Sequence, residues 1–315
     1  MNPIKYSVYS DKLECMKAKV LVIVVTYNGM KWIDKCLSSI KGSSVSTDAM
    51  VIDNASDDGM PHYISVNYPE IKLVENRRNL GFGQANNMGL QYALNNGYDY
   101  VYLLNQDAWL MPDTIEKLIK INLENPDFGI LSPLQLEGNM QHLDHSVANK
   151  LGSWPVGKEL IEDMCFNRLR DVYAVTQIPA AHWLMSRMAI QMVGGFSPTF
   201  YHYGEDDNYA DRLYYHKMKL GVLFTARGIH DREYRIDSKE KQMLLASVKI
   251  MSCLSDINKP VGKRWGKAVK LAGHSFYKFR SWGWVCHCLR ILFNYPQIRT
   301  NAERSREEGA FLKID

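Results

Sequence analysis

The sequence has no CxxC pair: its six cysteines, at 15, 36, 165, 253, 286 and 288, are scattered through 315 residues. Neither a zinc site nor a disulfide framework is therefore expected, and reduced thiols are the default. Long apolar runs are missing too. The nearest to the roughly 18 apolar residues that a bilayer-spanning helix needs is WGWVCHCLRILF from Trp282, which is short and carries His287 and Arg290. A buried helix is expected there, with an interfacial membrane helix as the alternative. The opening MNPIKYSVYSDKLECMKAK is broken by Asp11, Glu14 and several lysines, so no secretory signal is expected. Extreme charge is also absent. A net charge of +4 is too mild to argue a nucleic-acid partner, and none is expected. Acidic residues are missing from Ile257 to Ala302, where lysines and arginines recur from Lys259 to Arg299, so this end of the chain is locally basic. No internal repeat or low-complexity segment is visible.

What is present is an apolar content of 46%, enough for a real core. KVLVIVVTYNG reads as a central strand ending in the Asn28-Gly29 turn signal. MKWIDKCLSSIKGS has Ile33, Leu37 and Ile40 at helical spacing and a stop at Gly42. AMVIDNASDDG is again a strand followed by a polar loop, IKLVEN a short strand, and GQANNMGLQYALNNG a helix closed by glycine. YVYLLNQDAWLMP supplies a fourth strand, whose apolar run ends in Asn105, Gln106 and Asp107. This alternation predicts an α/β layer structure with a mostly parallel sheet and a ligand crevice at the strand carboxyl ends. From about Leu131 to Thr176 no period is sustained, and the segment is expected to be irregular structure over the crevice. A strand then helix over IPAAHWLMSRMAIQMVGGF, a helix after YGEDD, and a last strand ending just before His230 follow. Helices are expected from about Ile236 onward.

Several loops carry chemistry beside a plainer structural reading. Asp53 directly follows a strand, where its carboxylate could accept bonds from a base imide or a ribose hydroxyl, while Asp57, Asp58 and Gly59 also suit a simple turn. NRRNLGFGQANNMG lacks the third glycine of GxGxxG and follows the third strand, so the dinucleotide fingerprint does not fit; close backbone approach to a diphosphate stays open. Glu205, Asp206 and Asp207 repel one another, which favours a helix start, a metal or water, and raises proton affinity toward the range of a general base. His230 after an apolar strand suits either a structural role or a metal ligand beside a carboxylate. His182 and Trp183 suit either the core or an aromatic wall for a sugar.

In this order VVTYNG, IDNASDDG, NLGFGQANNMG, LLNQDAWL, GGFSPTFYHYGEDDNYADR and His230 resemble an inverting, family-2, GT-A type nucleotide-sugar glycosyltransferase, over roughly residues 19 to 230. The resemblance implies a GT-A Rossmann-like α/β/α sandwich in residues 1–235, with a nucleotide-binding half over 19–107 and an acceptor half over 108–235. A basic helical extension would then occupy 236–315. It implies that Thr26, Tyr27, Asn28, Asp53 and Asp57 hold the nucleoside, that Gly81, Asn87 and Gln106 line the nucleotide pocket, and that Asp107 and His230 bind Mn²⁺ or Mg²⁺. Asp206, with Glu205 beside it, would be the base, and Ala181, His182 and Trp183 would flank the acceptor. Asn105 stands where the family's DxD motif begins with aspartate, and Asp207-Asn208 replaces the usual apolar-then-acidic pair. The implied reaction moves a hexosyl or deoxyhexosyl group from a nucleotide-diphosphate sugar to a glycan or lipid-linked acceptor of bacterial surface polysaccharide. The expected location is cytoplasmic, with peripheral contact at the inner face of the cell membrane through the basic end. A non-catalytic nucleotide-sugar-binding scaffold is the alternative; a nucleotidyltransferase would need a basic activating loop that TYNGMKW does not offer.

Overall fold

A computed structural model describes residues 17–153, 155–232 and 238–313. The first sixteen residues, which carry most of the stretch in which no signal was expected, lie outside the described residues. So does the expected boundary between 235 and 236.

Val20–Thr26 forms β1, every residue of which is apolar except the last. Its side chains alternate between two cores: Val20, Val22 and Val24 face one, Leu21 and Ile23 the other. A strand buried on both faces reads as a continuous apolar run, which is why this segment has no alternation. Helix α1 (Met30–Lys41), β2 (Thr47–Asp53), α2 (Met60–Asn67), β3 (Lys72–Glu75), α3 (Phe82–Asn95) and β4 (Tyr100–Asn105) follow. The strands β3, β2, β1 and β4 lie side by side in that order, all parallel, and the chain reverses direction across the sheet between β1 and β4. The expectation of a mostly parallel sheet holds here.

The second half is mixed. β5 (Ala108–Leu110), α4 (Thr114–Glu124) and β6 (Phe128–Glu137) lead to β7 (Val172–Val175), β8 (His182–Ser186), α7 (Arg187–Val193), α8 (Glu205–Tyr215) and β9 (Lys219–His230). β8 enters antiparallel between β4 and β6, while β6 and β9 pair in parallel. β5 and β7 pair antiparallel with β9. Helices α1, α2 and α4 cover one face and α3, α7 and α8 the other, an α/β/α sandwich.

The stretch from Leu131 to Thr176, expected to be irregular, contains most of β6, two helices, α5 (His145–Leu151) and α6 (Val156–Cys165), and β7. The pattern was hidden for physical reasons. β6 pairs on both sides and is largely buried, so it has no polar face. Its Pro133, a residue that cannot donate to a ladder, sits at a register irregularity. His230 is the last residue of β9 rather than the residue after it.

Three helices end the chain, α9 (Lys239–Ser255), α10 (Val261–Phe279) and α11 (Trp282–Arg304), around a cluster of Leu254, Ala268, Phe279, Trp284 and Ile298. The segment after them returns to the sandwich, where Gly195 N–H donates to the Ala310 carbonyl at 2.8 Å and Lys313 N–H to Gln91 Oε1 at 2.7 Å. The segment from Trp282 is a helix that is only partly buried. Trp284 and Ile291 are buried, whereas Trp282 and Phe293 are 85% and 86% exposed. Among the described residues no helix is long and apolar enough to cross a membrane.

Candidate active site

The reversal between β1 and β4 puts two loops side by side at the strand carboxyl ends, the usual place for a ligand in such sheets. Gln106 bridges them, accepting from Tyr27 N–H at 2.8 Å and donating to the Tyr27 carbonyl at 3.1 Å. Asn28 Oδ1 accepts from Asp57 N–H, and Asn28 N–H donates to Ser56 Oγ. Thr26 and Asp53, which the resemblance assigned to the nucleoside, are almost wholly buried. Thr26 Oγ1 donates to Asp53 at 2.9 Å, and the Ser56 N–H and hydroxyl occupy the rest of the carboxylate. Their polar atoms brace the loop from beneath, leaving Tyr27, Asn28 and Asp57 exposed above it.

Asn87 is likewise committed elsewhere. Its amide accepts from Phe196 N–H at 2.6 Å and donates to the Phe196 carbonyl at 2.9 Å, so both ends serve the backbone after α7. It borders a separate cavity with Arg78, Tyr201 and Arg304. Gly81 caps α3 from the left-handed region, packed against the Tyr201 carbonyl. Neither residue lines the cleft that holds Asp107.

Asp107 itself faces His230 because of register: Ala108 pairs with His230 across β5 and β9, and Asp231 N–H donates to the Asp107 carbonyl at 2.8 Å. His230 is buried between two carboxylates, Nε2 at 3.4 Å from Asp107 and Nδ1 at 3.3 Å from Asp144, both ion-pair contacts rather than hydrogen bonds. Burial opposes charging the imidazole, but Asp107 and Asp144 raise its proton affinity above the ordinary value. Burial also pushes both carboxyls up, and His230 overrides it, holding Asp107 below its usual range and Asp144 at about 2.

The same donors fit a divalent cation. Two ligands about 2.1 Å from an octahedral ion and at right angles stand about 3.0 Å apart, close to the observed 3.4 Å. Asn105 Oδ1, buried without a partner, borders the same space. Asp144 faces the far nitrogen, the side on which a ligating histidine takes its outer partner. Among the described residues no group of three His, Cys, Asp or Glu is arranged to hold a metal alone, so further ligands would have to come from a bound phosphate or water.

Gly204, at φ 86°, turns the chain into α8 and opens its first turn with three acids. Only Gly tolerates this conformation without strain. The three diverge. Glu205 is buried beside Gly83, where burial and then Asp206 push its carboxyl up to about 8. It does not border the cleft, which corrects its expected place beside the base. Asp207 pairs with Lys150 at 3.1 Å. Asp206 is half-buried and borders the cleft, where burial and the Asp207 charge push its carboxyl up to about 6 against the opposing influence of Lys150.

The expected aromatic wall is not there. Trp183 is fully buried and stacks on Phe196 at 6.4 Å, with Tyr209 tilted against it. His182 is also fully buried; Nε2 bonds the Ile229 carbonyl, which can only accept, so Nδ1 takes the Tyr102 hydroxyl proton. Burial depresses its pKa to about 3. Gly228 lets this ring approach, since a Cβ there would stand 2.7 Å from it. Ala181 is buried too, its carbonyl accepting the Asn105 N–H. Trp183→Ala is therefore expected to cost about 3–5 kcal/mol in chemical denaturation, and Trp183→Phe to leave the acceptor KM unchanged. A raised KM at unchanged stability would restore the wall.

Asp107, His230 and Asp206, with Asn105, Lys150 and Arg232, line one cleft of about 980 Å³. Lys150 and Asp144 were not singled out from sequence. Asp144 had a signal, a cap residue before a helix: it accepts from Ser146 and Val147 N–H at the start of α5. Lys150, one helix length on, had none. Helix α5 thus joins the His230 corner to the acidic corner.

Residues 21–170 match the model of glycosyl transferase family 2. These residues form a glycosyl transferase family 2 domain. The chain is 25% identical over 214 residues to the N-acetylglucosaminyl-diphospho-decaprenol L-rhamnosyltransferase of Mycobacterium tuberculosis, covering 61% of this chain and 69% of that enzyme. S. aureus TarS 1–349, solved with UDP, superposes with a TM-score of 0.54 at 15% identity, over 91% of this chain and 80% of that one. GalNAc-T7, solved with UDP, GalNAc and Mn²⁺, does so with a TM-score of 0.55 at 13% identity, over 75% of this chain and 50% of that one. The family-2 domain therefore has a GT-A type fold, followed by C-terminal helices.

Proposed function

We propose that the protein is an inverting glycosyltransferase that moves a hexosyl or deoxyhexosyl group from a nucleotide-diphosphate sugar to a hydroxyl of a lipid-linked or glycan acceptor. The supporting observation is that Asp107, His230 and Asp206 border one cleft although they lie far apart in the chain. The relative named above acts on a diphospho-decaprenol sugar, and TarS was solved with UDP. Asp107 and His230 are the residues that would hold a divalent cation, which when bound neutralises charge developing on the leaving diphosphate. Tyr27, Asn28 and Asp57, held by the half-buried Gln106, present the exposed polar rim on which the nucleoside would rest. Asp206, ionised above about pH 6, takes the proton of the attacking acceptor hydroxyl. A single base acting opposite the leaving group inverts the anomeric configuration. Helix α5, tied to both corners, helps keep water from the donor.

The test is a panel of nucleotide sugars with Mn²⁺. One donor should raise the melting temperature, by about 2.7 kcal/mol of stabilisation at a hundredfold excess over Kd, and should release nucleoside diphosphate when acceptor is added. Stabilisation with no release under any acceptor would leave a binding scaffold instead.

A further inference from the structure

The outer face of the C-terminal helices carries apolar side chains in an arrangement the catalytic reading does not use. Val269 and Phe276 of α10 and Leu292 of α11 are each more than half exposed, and together they rim a groove of about 410 Å³ floored by Trp265, Ala272 and Trp284. On α11 the stripe continues through Trp282, Leu289 and Phe293, whose spacings of seven and four keep them on one side of the helix. The last turn of α10 and its cap add exposed Tyr277 beside Lys278 and Arg280.

Charge selects the occupant. No acidic residue interrupts Ile257–Ala302, while Lys270, Lys278, Arg280 and Arg290 are exposed around the apolar stripe. Aromatic side chains among basic ones on a helix too polar to span suit the headgroup layer, where rings lie at the boundary and lysines and arginines reach anionic phosphates. We infer that the α10–α11 face docks on an anionic phospholipid bilayer. Lys267 and Leu271, on another side of α10, line the catalytic cleft, so docking holds the cleft about one helix diameter from the membrane. This deepens the lipid-linked acceptor reading without resting on any step of the reaction.

The full chain is sedimented with vesicles of phosphatidylcholine alone and of phosphatidylcholine with phosphatidylglycerol. Binding to the second, weakened by salt, is expected. Trp282→Ser with Phe293→Ser should lower partitioning at least about tenfold through lost apolar burial. Lys278→Gln with Arg290→Gln should lower it about fivefold per charge. All four positions are exposed and outside the cleft, so circular dichroism, melting and nucleotide-sugar turnover should not change. Equal sedimentation with both vesicle types, or variants that match the parent, would overturn the inference. So would a soluble dimer that the Trp282 and Phe293 substitutions dissociate, since a second copy would then be the occupant.

Discussion

Asp206→Asn lowers the rate of transfer about 10³-fold while donor affinity stays within about twofold, because a positioned general base contributes roughly 10²–10⁴ and the amide cannot accept the acceptor's proton. The parent's rate should rise with pH through about 6, where the raised carboxyl ionises, and the variant should lose that limb. Stability adds a second readout. The folded pKa stands above the ordinary 3.8, so the stability this group contributes is full below that value and is lost as pH rises through about 6. At pH 7.5 the variant should melt at or above the parent. Single-turnover rates and melting curves across pH 5–8 check both; retained turnover would remove Asp206 as the base and return the choice to Asp207.

Asp107→Ala removes the dependence of donor binding on Mn²⁺ and costs about 10³-fold in turnover, since a cation stabilising diphosphate charge supplies several kcal/mol. The substitution leaves His230 facing Asp144 alone. With one carboxylate less, the imidazole should bind its proton less tightly, which nuclear magnetic resonance titration of the metal-free protein can follow. Calorimetry of nucleoside diphosphate with and without Mn²⁺ is the decisive measurement. Equal affinities in the parent protein would show that Asp107 holds no metal, and unchanged metal dependence in the variant would assign the cation to other residues.

Much of the first half was legible because its elements announce themselves locally. The valine-rich β1, the α1 periodicity and the polar ends of β2 and β4 each carry their own signal. The second half was harder. β6 is paired on both sides and contains Pro133, which masks a strand, and α5 begins after an Asp that reads equally well as a loop residue. Among candidate site residues, local chemistry could nominate but not orient. Trp183 is as suited to stack a sugar as to fill a core, and only the neighbouring Phe196 and Tyr209 decide for the core. Asn87 looked like a pocket residue until its amide met the Phe196 backbone.

Composition and periodicity by themselves determined the layered α/β architecture, the carboxyl-end loops and a basic helical end, because each is written in the spacing of neighbouring residues. Tertiary structure alone decided that Glu205 is buried while Asp206 and Asp207 border the cleft, and which partners close on His230. Those outcomes depend on strand register and on helices packed from distant parts of the chain. The pairing of Ala108 with His230, and the burial of Glu205 beside Gly83 while Asp206 stays at the cleft, are long-range contacts that short sequence windows do not contain.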